Sequence, residues 1–322
     1  MTDGPSLDRD PHRSPPRVPD GGSARGVAVA GALVGAYGAA DSSVPARVGR
    51  WKITSIGLTI FTIAAAVCWA FPLYWLVVTT LKHEYDTVKP GLNLIPSDPT
   101  LEAYGFVIEH TKIAYWYLNS FVTATAITVL VIGMSSTCAY AISQLKFPGR
   151  GLLYGLVLAS FMVPLTSLVI THFILMNDFG LINTWAGIVL PQLITPVIII
   201  VYKQFFDGIP KEYREAAVID GANEFRLFTA VYMPMTWGVT TALAIITFIA
   251  AWDAFFWPFL AVTSDTMMTV TVGITQVHEA FGVQYARNLA VAVMAAAPVV
   301  IAYLVFQRRV TDAIAISAGI KG

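Results

Sequence analysis

An aspartate inside an apolar segment is the residue of this sequence with the clearest capacity for binding chemistry. Asp253 follows Trp252 and precedes Ala254 and the aromatic pair Phe255-Phe256. A carboxylate accepts hydrogen bonds from hydroxyl groups, and aromatic faces can cover the apolar C–H patches of a sugar. This pattern favours a site for a hydroxylated ligand, with Trp252, Asp253 and Phe256 as candidate contacts. The alternative is structural, with Asp253 capping or pairing within a helix bundle and the aromatic side chains forming an interfacial belt.

Further polar side chains lie within or beside apolar segments. Asn119 and Ser120 begin one segment, while Ser167 and Thr171 are four residues apart in another. That spacing places Ser167 and Thr171 on one face of a helix. Asn119, Ser120 and Thr171 are therefore candidates to line a hydrophilic path. The alternative is that such side chains form hydrogen bonds between packed helices.

No set of residues typical of catalysis or of a bound cofactor is present. The sequence contains no GxxxxGK[ST], HExxH or GxSxG motif, so it lacks the phosphate-binding loop and the common hydrolytic centres. His172 has no second ligand at metal spacing, and Cys68 and Cys138 form no CxxC pair. The chain is thus predicted to be no enzyme and to bind no cofactor or metal.

A charged stretch at about residues 203–235 separates two apolar segments. Pro210 favours a helix start, strong helix formers follow, and Gly221 is typical of a residue just after a helix C-terminus. Asn223 is a candidate N-cap for a second short helix, which Pro234 would end. The first helix would expose Ala216 and Ala217, small residues that permit close approach of another surface.

This charged stretch is predicted to bind a soluble partner, because it has no lipid to face. Glu215 and Asp220 would offer charges to that partner, and Gly221 would allow the turn. An ordinary amphipathic loop is the alternative.

Composition indicates an integral membrane protein built from helices. The chain is 56% hydrophobic and 12% charged, with a mean hydropathy of +0.65, whereas a soluble domain carries about 25% charged residues. A membrane span needs about 20 mostly apolar residues. Six stretches satisfy this requirement: residues 53–81, 117–143, 152–176, 185–202, 239–262 and 290–306. In the fourth, Pro191 and Pro196 predict a kink. The formal net charge of zero gives no support for nucleic-acid binding.

The distribution of Lys and Arg predicts the orientation. With the N-terminus in the cytoplasm, eleven basic residues flank the inner face: Arg47, Arg50, Lys52, Lys146, Arg150, Lys203, Lys211, Arg214, Arg226, Arg308 and Arg309. Lys82, Lys89, Lys112 and Arg287 are outside. Both termini and the charged stretch are then cytoplasmic. Asp253 lies about 21 Å along its span from residue 239, in the outer half of the bilayer.

The N-terminal part of the chain differs from the rest. Residues 1–26 are rich in Pro, Asp, Arg and Gly, a composition that does not support a core. Residues 27–40 are apolar but too short to span. We therefore expect a disordered cytoplasmic tail at 1–50 and a six-helix transmembrane domain at 51–322.

The pattern Glu215-Ala216-Ala217, three residues, Gly221, nine residues, then Val231-x-Met233-Pro234 resembles the coupling loop of ATP-binding-cassette (ABC) importer permeases, in particular the carbohydrate-uptake, maltose-permease-like branch. The family form of the last element is Ile-x-Leu-Pro, from which Val231 and Met233 depart conservatively. Other matching pieces are Asn119-Ser120, Ala139-Tyr140-Ala141, Phe147-Pro148-Gly149-Arg150, Met162-Val163-Pro164, Gly180-Leu181-Ile182-Asn183-Thr184, Phe205-Phe206-Asp207-Gly208-Ile209-Pro210 and Gly319-Ile320-Lys321-Gly322. The resemblance covers about residues 51–322. The family usually has Asn where this chain has Asp253.

The resemblance implies the type I importer permease fold and transport of a sugar or sugar-like solute into the cytoplasm across a bacterial inner membrane. Glu215, Ala216, Ala217, Asp220, Gly221 and Pro234 would belong to the element that docks on a separate ATPase subunit, which would bind the ATP and Mg²⁺. A second homologous permease, an extracytoplasmic substrate-binding protein meeting the connection at residues 82–116, and membrane lipids would be the other partners.

An ion-driven secondary transporter or another polytopic membrane protein is the alternative function, and an intramembrane enzyme is a further one. An ion-driven secondary transporter normally shows matching halves with broken helices and ion ligands, which the sequence does not display. An intramembrane enzyme would need paired carboxylates or a Ser–His set near Asp253, and neither is evident. ATP-dependent uptake in vesicles without an ion gradient distinguishes these cases.

Overall fold

A computed structural model describes residues 48–91, 93–277 and 284–317, and all regular structure in these ranges is helical. The α-helices are α1 Val48–Thr80, α2 Glu84–Thr87, α3 Glu102–His110, α4 Ile113–Gln144, α5 Arg150–Phe161, α6 Val169–Asp178, α7 Trp185–Val189, α8 Pro196–Asp207, α9 Lys211–Ile219, α10 Glu224–Leu227, α11 Met233–Met235, α12 Trp237–Trp252, α13 Phe256–Ala261, α14 Val270–Gly273 and α15 Tyr285–Ser317. The predicted tail, up to residue 47, and the family-like C-terminal residues 319–322 lie outside the described residues.

Three helical stretches are long and apolar enough to cross a membrane singly: Ile56–Thr80, Ile113–Gln144 and Tyr285–Val305. Three further candidates are pairs of helices bent by more than 40° at a short break. The described residues therefore hold three to six candidate spans, depending on whether each bent pair counts as one. The all-helical prediction is confirmed, while six uninterrupted spans are not observed.

The fourth predicted span, residues 185–202, is broken between its two prolines, Pro191 and Pro196. The stretch Trp185–Gln192 meets Pro196–Asp207 at 53°, and α8 begins at Pro196, a favoured first position because proline has no amide hydrogen to donate. The predicted kink is thus confirmed. The third predicted span, at 152–176, is also broken rather than continuous, because α5 ends at Phe161 just before Pro164, and a residue preceding proline is disfavoured in the helical conformation.

The fifth predicted span, at 239–262, was wrong as a single helix. Helix α12 ends at Trp252, and α13 begins only at Phe256. In an uninterrupted helix the residue at 258 would donate to the Ala254 carbonyl, but Pro258 has no amide hydrogen. The Thr271 hydroxyl donates to that carbonyl instead, at 2.7 Å. Asp253 consequently lies at a helix end beside a backbone break.

The described chain divides into two compact units, one ending at Cys68 and the other beginning at Trp69. In the second unit, α4 packs along both α8 and α12. Two hydrophobic clusters include residues from the N-terminal and the C-terminal parts of α4, respectively. One includes Trp116, Trp252, Trp257 and Val270, and the other includes Tyr140, Tyr202, Phe206 and Tyr232. The long helix α4 therefore belongs to both clusters.

Candidate functional site

The charged stretch, here called the docking loop (residues 203–235), folds as the sequence predicts at its turn. Helix α9 ends at Ile219, and Gly221 has a φ of 79°. The Gly221 amide donates to the Val218 carbonyl at 3.0 Å, and the Ala222 amide donates to the Ala217 carbonyl at 2.9 Å. These two bonds are those of a Schellman C-terminal motif. Glycine fits here because other residues are strained at such a φ.

The second helical part of the docking loop is capped by Asn223, as predicted. Its side-chain oxygen accepts a hydrogen bond from the Arg226 amide at 2.9 Å. Helix α10 continues through a π-helical turn, Phe228–Tyr232, into α11. The stretch Glu224–Met235 then meets Trp237–Trp252 at 80°. The chain therefore changes direction just after Pro234.

Most predicted docking residues are exposed, with one correction. Glu215, Ala216, Asp220, Gly221 and Pro234 are exposed in this chain. Ala217 is only half-buried and packs on the Tyr202–Phe206 cluster. The prediction that Ala217 is exposed beside Ala216 thus holds only in part, because one residue along α9 turns the side chain by about 100°, towards the face that contacts the body of the protein.

Two exposed apolar side chains of the docking loop were missed by the sequence analysis. Ile219 is 85% exposed and Phe225 is 75% exposed, on either side of Gly221. Helix α9 begins with the mostly charged residues Lys211–Glu215, so the apolar pair Val218-Ile219 at its C-terminal end was a usable signal. The surface around Gly221 therefore combines small, acidic and apolar groups.

A cluster of three polar side chains connects the docking loop to α4. The Glu224 carboxylate accepts two hydrogen bonds from the Arg214 guanidinium, at 3.0 and 2.5 Å. It also accepts one from the Tyr140 hydroxyl of α4 at 2.7 Å. Hydrogen bonding to the Glu224 carboxylate raises the pKa of Arg214 above its usual value. Arg214 precedes the Gly221 turn and Glu224 follows it, so their ion pair connects the two helical parts of the docking loop. The bond from Tyr140 attaches the same loop to α4.

A second set of contacts holds the two ends of the docking loop to the last turn of α4. The Tyr232 hydroxyl donates to the Gln144 side-chain oxygen at 2.6 Å, and the Gln144 amide donates to the Phe206 carbonyl at 3.1 Å. The Ser143 hydroxyl donates to Asp207 at 2.6 Å. The C-terminal end of α4 is therefore bonded to the chain before and after α9. None of these partners was predicted, because the pairs are separated by 62 to 88 residues in sequence.

The other end of α4 carries two of the predicted path residues, and both are occupied by structural hydrogen bonds. The Asn119 amide donates to the carbonyls of Thr266 and Met268, at 2.8 and 2.9 Å, and its oxygen accepts from the Trp185 indole at 2.9 Å. The Ser120 hydroxyl accepts from the Val270 amide at 2.8 Å. Asn119 and Ser120 are 2% and 1% exposed.

The remaining path candidates are not brought together by direct bonds. Asp253 and Phe256 are exposed in this chain, as is Thr171 on α6. No hydrogen bond among the described residues joins the Asp253 carboxylate to another side chain. Trp252 is buried, and its indole donates weakly to the Ala295 carbonyl of α15 at 3.4 Å. Asp253 and Phe256 thus remain available to a ligand, whereas Trp252 packs inside the protein.

The connection at residues 82–116 is ordered by polar contacts. The Lys82 ammonium, in a residue only 4% exposed, donates to the Asn93 carbonyl. His83 lies between Glu102 and Asp98, at 3.1 and 3.3 Å, and the bond to Glu102 is the main cause that raises its pKa. Glu84 accepts from the Ala286 amide at the start of α15. Within residues 48–91, 93–277 and 284–317, no group of three or more His, Cys, Asp or Glu side chains could hold a metal ion.

Comparison with known proteins identifies the family. The family model of the binding-protein-dependent transport system inner membrane component matches residues 130–311, a range that contains the whole docking loop. This chain belongs to that family.

Similar proteins include the arabinooligosaccharides transport system permease protein AraQ of Bacillus subtilis (strain 168), 29% identical, with 85% of this chain and 98% of that protein covered. The AraQ protein of Halalkalibacterium halodurans is 31% identical, covering 84% and 96%. The sulfoquinovosyl glycerol transport system permease protein SmoH of Agrobacterium fabrum is 32% identical, covering 78% and 89%.

The fold is that of ABC importer permeases. A solved bacterial ABC transporter involved in the import of the acidic polysaccharide alginate contains a similar chain, with a TM-score of 0.73, 21% identity, and 82% and 98% of the two chains covered. A second alginate transporter structure, in complex with an alginate pentasaccharide-bound periplasmic protein, matches with a TM-score of 0.57 and 14% identity.

Proposed function

We propose that this chain is a permease subunit of an ABC importer that moves a sugar or sugar-like solute into the cytoplasm. The observation that carries the proposal is the family match at residues 130–311, which contains the exposed turn at Gly221. The names of the relatives supply the solute class: arabinooligosaccharides for AraQ and a sugar glycerol conjugate for SmoH. The chain would pair with a second permease and receive solute from an extracytoplasmic binding protein.

The proposed topology has six spans, three of them bent pairs, with both termini in the cytoplasm of a bacterial cell. The Lys and Arg bias supports this orientation. It places the docking loop in the cytoplasm, where separate ATPase subunits would bind ATP and Mg²⁺. Glu215, Ala216, Asp220 and Gly221 would contact the ATPase, and Ile219 and Phe225 would enter apolar recesses of its surface.

Replacing Ile219 by serine is expected to weaken assembly with the ATPase by roughly thirtyfold, since burying such a side chain contributes about 2 kcal/mol. Assembly is measured by titrating purified ATPase onto the permease pair in nanodiscs. The matched control is Ile95→Ser, because Ile95 is 78% exposed in the 82–116 connection. Equal affinities for wild type and Ile219→Ser would show that the ATPase docks elsewhere.

Asp253→Asn is expected to raise the KM for solute uptake by about tenfold or more, because a hydrogen bond to a charged group contributes about 1.5–3 kcal/mol. Uptake is measured in vesicles with a sugar selected by thermal-shift screening of the linked binding protein. Asp265→Asn is the control, since Asp265 is also exposed and has no side-chain partner among the described residues. Unchanged uptake and unchanged pH dependence would exclude a charge-specific role for Asp253.

A further inference from the structure

Helix α4 is hydrogen-bonded to other segments of the chain near both of its ends. Near its C-terminal end, Tyr140 is bonded to Glu224 of the docking loop. Near its N-terminal end, Asn119 and Ser120 are bonded to residues 266–270. Tyr140 and Asn119 are 21 residues apart in one uninterrupted helix, which corresponds to about 32 Å.

The N-terminal contacts of α4 continue to the break beside Asp253. The Val270 amide, held by Ser120, lies at the start of α14, and the next residue, Thr271, donates to the Ala254 carbonyl. Ala254 directly follows Asp253. A chain of hydrogen bonds therefore joins α4 to the backbone break that exposes the Asp253 carboxylate.

The C-terminal contact is fixed by packing as well as by hydrogen bonds. The Tyr140 ring contacts three rings of the docking loop, those of Phe228, Tyr232 and Phe206, at 5.2, 5.1 and 6.2 Å between centroids. Such aromatic packing restricts the ring, so its hydroxyl is held towards Glu224. A displacement of the docking loop must therefore displace α4 or break the Tyr140–Glu224 bond.

We propose that α4 transmits displacement of the docking loop to the backbone break at Asp253, with Tyr140, Glu224 and Arg214 as positioning residues at one end and Asn119 and Ser120 at the other. This inference rests on the proposed function, because the displacement is supplied by the docked ATPase. It assigns to the Arg214–Glu224–Tyr140 cluster a role in coupling that is separate from docking, since Tyr140 lies behind the exposed surface.

The test compares the break at Asp253 in two states of the intact complex. Phe255→Cys, in a chain with Cys68 and Cys138 replaced by serine, reports the accessibility of the break to a membrane-impermeant thiol reagent. Its labelling rate is measured without nucleotide and after trapping with MgATP and vanadate. In the otherwise wild-type complex the two rates are expected to differ. Tyr140→Phe and Glu224→Gln are expected to reduce that difference about tenfold, within the usual range of coupling between sites. Tyr140→Phe, whose hydroxyl lies behind the exposed surface, is expected to leave the affinity for the ATPase unchanged.

Tyr154→Phe is the matched control. It also removes only a hydroxyl, Tyr154 lies on α5, and its hydroxyl has no hydrogen-bond partner in the described part of the chain. This variant should keep the full difference in labelling. If Tyr140→Phe and Glu224→Gln assemble normally and keep it as well, the proposal is wrong. The two proposals can fail separately. If Ile219→Ser loses assembly while Tyr140→Phe shows the wild-type difference in labelling, the proposed docking on the ATPase is supported and only transmission through α4 is excluded.

A double-mutant cycle distinguishes one pathway from two. Ser120→Ala removes the acceptor for the Val270 amide at the far end of α4. If both ends act through the same helix, the double variant Tyr140→Phe/Ser120→Ala should be no more impaired in labelling than the worse single variant. If the losses of the labelling difference in the two single variants add in the double variant, a single connection through α4 is contradicted. It is also contradicted if both single variants label as wild type does.

Discussion

Gly221→Val is expected to weaken assembly of the permease with its ATPase by at least roughly a hundredfold. The Gly221 φ of 79° is costly for any residue with a Cβ atom, and most costly for a β-branched one. No neighbouring atom lies within 4 Å of a Cβ built at this position, so the penalty comes from the backbone and not from a clash. The chain would relieve the strain by opening the turn, which breaks the bond from the Ala222 amide to the Ala217 carbonyl.

An opened turn would move Ile219 and Phe225 apart and separate Arg214 from Glu224. We expect the affinity for the ATPase to fall by at least roughly a hundredfold, equivalent to about 2.8 kcal/mol. Gly221→Asn is the matched control, since asparagine adopts a left-handed conformation more readily than other residues with a Cβ. It should retain affinity within about tenfold of wild type. If Gly221→Val binds the ATPase with the same affinity as wild type, the turn has no role in docking.

Asn119→Leu is expected to prevent accumulation of folded protein. Asn119 is itself buried and makes three hydrogen bonds, to Thr266, Met268 and Trp185. Leucine is close in size but leaves two carbonyls and one indole N–H without a partner. Each buried group left in this way costs about 1–3 kcal/mol, so the loss is on the order of several kcal/mol. The measurement is the yield and thermal midpoint of the purified chain in detergent.

The same substitution at an exposed asparagine provides the control. Asn93 is exposed, and its side chain has no partner within the described ranges, so Asn93→Leu should leave yield and midpoint close to wild type. A folded Asn119→Leu variant with normal stability and reduced solute affinity would instead favour the interpretation of Asn119 as a path residue.

The features of the docking loop that follow from local chemistry were predictable from the sequence. Gly221 as a helix-ending residue and Asn223 as an N-cap depend on contacts within five residues, and the structure has both. The kink at Pro196 depends on the missing amide hydrogen of proline. The all-helical membrane class follows from composition.

Features that depend on distant contacts were not predictable in this way. The partners of Tyr140 and Asn119 lie 84 and about 147 residues away, and no local periodicity relates them. The continuous span predicted at 239–262 failed for a related reason. Its hydropathy is that of a membrane helix, but the helix ends at Trp252, and the donor to the Ala254 carbonyl comes from Thr271, a residue beyond the span.

The Thr271 hydroxyl donates to the Ala254 carbonyl in place of the amide hydrogen that Pro258 lacks. This exchange of donors constrains which residues can occupy positions 258 and 271. An unpaired carbonyl within hydrocarbon would cost several kcal/mol, so we expect proline at position 258 to require a hydroxyl donor at position 271. Serine could replace Thr271, whereas valine, equal in shape, could not. Among relatives, threonine or serine at 271 should accompany proline at 258, and a residue with an amide hydrogen at 258 should free 271 to become apolar. The two positions are expected to co-vary because both determine which donor reaches the Ala254 carbonyl.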